Sequence, residues 1–135
     1  MRRFVIASLA LIACGGAAPA PGSNSAESKS DETRIAKALA GFTPGKPVDC
    51  ISQYRPEYST ETIGDSILYR FNDRLIYRNK TSGRCDNGRT SDTLVVRNFG
   101  PRLCRGQIIQ TVDLFVGFQT GGCALGDFTP YTKAK

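Results

Sequence analysis

Hydrophobic and polar positions alternate with period two along several stretches of the chain's second half. Ile67, Tyr69 and Phe71 fall on one side of such a stretch, and Leu68, Arg70 and Asn72 on the other. Leu75 and Tyr77 oppose Ile76 and Arg78 in the same way, and Leu94 and Val96 oppose Val95 and Arg97. Each stretch reads as a half-buried β-strand. Asn72-Asp73 fits a tight hairpin turn between the first two. Thr81-Ser82-Gly83 and Asp86-Asn87-Gly88 mark the connection after them. Residues 108–113 predict a further strand or a short helix, which residues 115–118 extend before a turn at Gly121-Gly122. The pattern predicts a mainly β fold: a small antiparallel meander forming a partial barrel or sandwich.

A different pattern precedes the strands. Ile35, Ala36, Ala38 and Leu39 predict a short helix over residues 34–41, with Ser30 or Asp31 near its start and Gly41 as its terminator. Residues 14–33 hold no aromatic and no large aliphatic side chain. That composition predicts a flexible tether, because it offers too little apolar surface to offset the entropy of ordering. A random coil of this length spans roughly 25 Å. Residues 42–135 form the β domain, too short for more than one.

The N-terminus carries Arg2 and Arg3, an apolar run from residue 4 to 13, and Leu11-Ile12-Ala13-Cys14. A membrane-spanning helix needs about 20 apolar residues, and this run has only about half of them. The arrangement resembles a bacterial lipoprotein signal with its lipobox. The resemblance implies a signal peptide of residues 1–13, cleavage before Cys14, and acylation of Cys14 that holds the chain on a lipid bilayer. Gly15, where an Asp would retain a lipoprotein in the inner membrane, implies the outer membrane, facing the periplasm. An alternative remains in Ala18-Pro19-Ala20, a small-x-small site where an ordinary signal peptidase would release a soluble periplasmic protein.

Cysteine parity agrees with export by either route. Of the five cysteines, Cys50, Cys85, Cys104 and Cys123 remain after Cys14 is set aside, enough for two disulfides. Three pairings are open, and Cys85–Cys104 with Cys50–Cys123 is the favoured one. The segments Gly45-Lys46-Pro47-Val48-Asp49-Cys50-Ile51, Leu75-Ile76-Tyr77-Arg78-Asn79, Gly83-Arg84-Cys85, Leu103-Cys104-Arg105-Gly106 and Gly122-Cys123-Ala124-Leu125-Gly126-Asp127-Phe128 resemble a family of small exported proteins from sphingomonad-type alphaproteobacteria. That resemblance implies a shared cysteine framework and an envelope location, and it brings no activity with it.

Composition narrows the chemistry. The chain has no histidine, which removes Ser-His-Asp and Cys-His nucleophilic systems and the common imidazole metal sites. No Cys-x-x-Cys pair points to zinc or redox chemistry, and no cofactor or metal is expected. Glu57, Glu61, Asp65, Asp113 and Asp127 are the carboxylates available to a secreted hydrolase, which would need two of them converging on one cleft. Asn79-Lys80-Thr81 matches a glycosylation sequon, of little weight in a bacterial envelope protein.

Charge adds one further expectation. Dropping Arg2 and Arg3 takes Lys+Arg from 18 to 16 against 12 Asp+Glu, a net charge of +4 instead of +6. If their strands were neighbours, Arg70, Arg78 and Arg97 would form a basic binding face for an anionic envelope component or a periplasmic protein. No nucleic-acid motif is present. The expected function is that of a membrane-anchored envelope lipoprotein with a non-enzymatic binding or structural module. The carboxylate-dependent hydrolase and the soluble periplasmic protein stand as alternatives.

Overall fold

The computed structural model describes residues 24–53, 58–85, 91–97 and 100–134, with side chains from residue 28 onward. One helix, α1 (Asn24–Ala38), precedes ten strands: β1 (Thr43–Pro44), β2 (Cys50–Ser52), β3 (Ser59–Ile63), β4 (Ser66–Asn72), β5 (Leu75–Lys80), β6 (Asp92–Val96), β7 (Arg102–Cys104), β8 (Ile108–Asp113), β9 (Gln119–Ala124) and β10 (Phe128–Thr132). All pairings are antiparallel. They make a five-stranded sheet in the order β1-β10-β5-β4-β3, a three-stranded sheet β6-β8-β9 and a two-stranded ribbon β2-β7. The fold is mainly β, and among the described residues the sheets do not close into a barrel.

The five-stranded sheet is buried on both faces. Side-chain parity sends Ile67 and Tyr69 of β4 and Phe128 of β10 to one face. There they join Ile51, Leu103, Ile109, Leu125 and the Cys85 and Cys123 sulfurs, with Leu94 and Val96 alongside. Leu68, Ile76 and Ile63 point to the other face and pack against Ile35 of α1 and Leu39 just past its end, with Phe42 and Tyr131 around them. Consequently Ser66, Ile67, Leu68 and Tyr69 are buried consecutively, where alternation predicts a half-buried strand. The helix accounts for the difference, since it covers the face that the pattern assigns to solvent.

The helix itself begins at Asn24, ten residues before the start predicted from Ile35 and Leu39. Residues 23–40 contain neither Pro nor Gly and are rich in Ala, Glu, Lys and Ser, so nothing in them breaks a helix. Lack of an apolar face removes a reason to pack and leaves the helical backbone intact. The tether expected over residues 14–33 is therefore helical from residue 24 on, and its first part lies outside the described residues. Gly41 takes a left-handed conformation, φ 79°, just past the helix end. The Phe42 N–H donates to the Leu39 carbonyl at 3.0 Å there, as expected of a helix stop.

Two turns depart from the predicted ones. Asn72 pairs with Leu75, which moves the hairpin loop to Asp73-Arg74; the Asn72 side-chain oxygen accepts the Arg74 N–H at 2.9 Å. Gly121-Gly122 does not turn at all but lies inside β9, opposite Thr111 and Gln110. A Cβ on Gly121 would stand 2.9 Å from the Thr111 hydroxyl, and one on Gly122 3.0 Å from the Ile109 carbonyl. Close approach of β8, not a turn, requires these glycines. The turn falls earlier, at residues 114–118. Asn79 of the sequon is fully buried; its amide donates to the Gly126 carbonyl at 2.7 Å and accepts the Gly126 N–H at 2.9 Å.

The disulfides are Cys50–Cys104 and Cys85–Cys123, a different pairing from the favoured one. Cys50 and Cys104 are direct cross-strand partners in the β2-β7 ribbon, with Cα atoms 4.0 Å apart. Cys85, beyond β5, reaches Cys123 of β9 with Cα atoms 5.3 Å apart. β7 pairs with β2 and not with the segment around Cys85, which sets Cys104 opposite Cys50.

Candidate ligand cleft

A cleft of about 490 Å³ opens where the five-stranded sheet faces the strands carrying the second half of the chain. Tyr58 precedes β3, Thr60 lies on β3 and Tyr69 on β4. Leu94 and Val96 come from β6, Leu103 from β7, Ile109 from β8, and Gln53 from the end of β2. The period-two pattern explains the convergence: each strand residue occupies the parity that its own sheet turns inward. None of these side chains carries a charge at neutral pH.

Tyr69 is the distinctive group. It is 2 % exposed, yet its hydroxyl has no hydrogen-bond partner among the described residues. Burial pushes the phenol well above the ordinary tyrosine range, with the nearby Tyr58 as a lesser cause. At any physiological pH it is therefore a neutral donor and acceptor. Its ring is held edge-on by Tyr58, centroids 5.9 Å apart at 60°, and tilted against Phe128 at 5.7 Å. Tyr58 in turn stacks on Phe71 at 5.3 Å, and Phe71 meets Tyr77 edge-on at 5.4 Å. This row of rings fixes the Tyr69 side chain and leaves its polar tip unsatisfied. Buried hydroxyls are normally bonded, so an orphan lining a cleft marks a place where a ligand group would be stabilised.

A second cleft, of about 570 Å³, lies on the helix side and is polar. Its charges are already satisfied. The Arg78 guanidinium donates to Glu32 of α1 at 2.7 Å and to the Ser66 hydroxyl at 3.2–3.3 Å. Asp127 accepts from Arg105 at 3.0 Å. The Arg78 contacts tie the helix to the sheet, and the Arg105 contact ties the turn between β9 and β10 to the loop after β7.

Of the three residues expected to form a basic stripe, only Arg70 and Arg78 are on neighbouring strands. Arg70 and Arg78 share the helix-facing side of β4 and β5, two register positions apart, and Arg78 is held by Glu32 and Ser66. Arg97 follows β6, in the other sheet. The pairing of strands, invisible in local alternation, decides this. The carboxylates expected of a hydrolase are likewise on separate elements with separate partners. Glu61 is exposed on β3, and Asp65 takes Lys80 and Ser66. Asp113 caps the loop after β8, and Asp127 pairs with Arg105. Glu57, the Asp86-Asn87-Gly88 turn and Cys14 lie outside the described residues. Among the described residues, no three His, Cys, Asp or Glu side chains are grouped to hold a metal, and no helix is long and apolar enough to cross a membrane.

Tyr58, Thr60 and Gln53 were not legible as site residues, because their convergence depends on how the sheets stack. Tyr69 was legible as a core position only. Comparison with family models, with curated proteins and with solved structures found no match to this chain.

Proposed function

We propose that this chain is a lipoprotein of the bacterial cell envelope, anchored through acylated Cys14, whose β domain binds a ligand and performs no chemistry on it. The orphan Tyr69 hydroxyl in an uncharged cleft carries the binding half of this reading. The ligand class it fits is a neutral molecule with an apolar part and hydrogen-bonding groups, since Gln53, Tyr58, Thr60 and Tyr69 line the cleft beside its aliphatic side chains. Its apolar part would lie against Leu94, Val96 and Ile109, and one of its polar atoms would meet the Tyr69 hydroxyl. The lipobox carries the anchoring half, and two disulfides accord with an oxidising compartment. Gly15 after Cys14 directs the protein to the outer membrane, facing the periplasm.

Native mass spectrometry of protein released from membranes by detergent tests the binding half. The wild-type chain is expected to carry a small uncharged molecule that Leu94→Arg expels. A mass equal to the processed chain alone, in both proteins, overturns it. Intact-mass measurement tests the anchor: acyl groups on a chain starting at Cys14 are expected, and Cys14→Ala abolishes them. A mature chain starting at Pro21 without acyl groups would establish the soluble alternative.

A further inference from the structure

The hairpin joining β8 to β9 ends in Leu114-Phe115-Val116-Gly117-Phe118. Four of these side chains are large and apolar, and they are 69 %, 88 %, 63 % and 74 % exposed in chain order. Single exposed apolar residues are ordinary, but a contiguous cluster marks a contact surface. We propose that this tip is a second membrane contact, seated in the boundary between headgroups and hydrocarbon of a lipid bilayer.

Three observations select a bilayer over a protein. The tip is free of charge and of polar side chains, whereas a specific protein interface carries a polar rim that orients its partner. Here the flanking polar groups are spent on the chain itself: Asp113 accepts the Phe115 and Val116 N–H groups at 2.8 and 3.2 Å, and the Gln119 amide donates to the Gly121 carbonyl at 3.3 Å. Two further backbone donors of the tip are satisfied internally as well. The Leu114 N–H donates to the Ser91 carbonyl at 3.0 Å and the Gly117 N–H to the Asp113 carbonyl at 2.8 Å. Each N–H group that already has a partner lowers the cost of seating a loop at the edge of an apolar phase. The third observation is reach, and it rests on the anchored reading above. Cys14 and the first described residue, Asn24, are ten positions apart. Even fully extended, that connection holds the start of α1 within about 35 Å of the lipid.

Vesicle flotation tests the proposal on the chain from Pro21 to Lys135, which contains every described contact and lacks Cys14. It is run with phosphatidylcholine vesicles and with phosphatidylethanolamine/phosphatidylglycerol vesicles. The chain is expected to float with both, and high salt is not expected to release it, because apolar insertion is insensitive to screening. Phe115→Ser with Phe118→Ser should lower partitioning by at least about tenfold. Both sites are exposed, so the disulfide map and thermal midpoint should not move. Failure of the wild-type chain to float overturns the proposal. So does flotation confined to anionic vesicles and reversed by salt, or equal flotation of the double variant. Since the tested chain has no anchor, none of these results depends on acylation of Cys14, which the intact-mass measurement decides separately.

Discussion

At the scale of one residue, Tyr69 shows a conflict between stability and binding. An unpaired hydroxyl in an apolar site costs stability, because its water partners are lost and not replaced. Tyr69→Phe is therefore expected to stabilise the fold by about 1 kcal/mol in urea denaturation, while weakening retention of any ligand that bonds the hydroxyl. The same side chain gives the fold an alkaline limit. In the unfolded chain a tyrosine ionises near pH 10, whereas burial keeps the folded-state value higher. Below that pH both states bind the proton and stability is unaffected. Above it the unfolded state alone releases the proton, so stability falls as pH rises, by up to about 1.4 kcal/mol per pH unit. Wild-type and Tyr69→Phe stability curves should run parallel to about pH 10 and diverge beyond it; curves that stay parallel would place Tyr69 in contact with water.

Among the elements, α1 depends most on its docking. Thr33 donates to the Lys29 carbonyl and Arg34 lies beside Asp31 within the helix. Ile35, and Leu39 just past the helix end, 2 % and 8 % exposed, pack against Leu68 and Ile76. Ile35→Ala should cost about 2–4 kcal/mol and reduce helical ellipticity at the same denaturant concentration; an unchanged unfolding midpoint would show that the helix docks by its ion pairs alone. What the sequence made legible follows from the range of the forces involved. The strands over residues 66–72, 75–80 and 92–96 were legible from alternation along the sequence, although β4 is buried on both faces, and residues 108–113 follow once the strand option is taken. The start of α1 escaped because a polar helix and a polar coil share a composition. The β9 glycines escaped because Gly-Gly signals a turn unless a neighbouring strand occupies the space of their side chains. The cleft was illegible for a related reason: it is made by stacking β4 over β6, β7 and β8, a relation that no local pattern encodes.

The molecule as a whole is a three-layer assembly, with a helix on one face of a five-stranded sheet and smaller sheets on the other. The two disulfides act at different levels of it. Cys50–Cys104 joins strands already paired, while Cys85–Cys123 links the segment leaving the five-stranded sheet to the β6-β8-β9 sheet. Their sequence separations of 54 and 38 residues correspond, in the loop-entropy view, to about 4 kcal/mol each. Proteolysis without reduction should release peptides joined through Cys50–Cys104 and Cys85–Cys123; a Cys85–Cys104 peptide would contradict the strand order. Replacing Cys85 and Cys123 together by Ala should destabilise the chain by up to about 4 kcal/mol.

The outer strands of the five-stranded sheet have a consequence for how copies of this chain behave in company. One edge is β1, only two residues long and ending on Pro44; the other is β3, which begins with exposed Ser59, Thr60 and Glu61. A proline offers no N–H to a visiting strand, and a carboxylate resists close approach of its own kind. Neither border of this sheet therefore offers a visiting strand from another copy a long, unguarded ladder to extend.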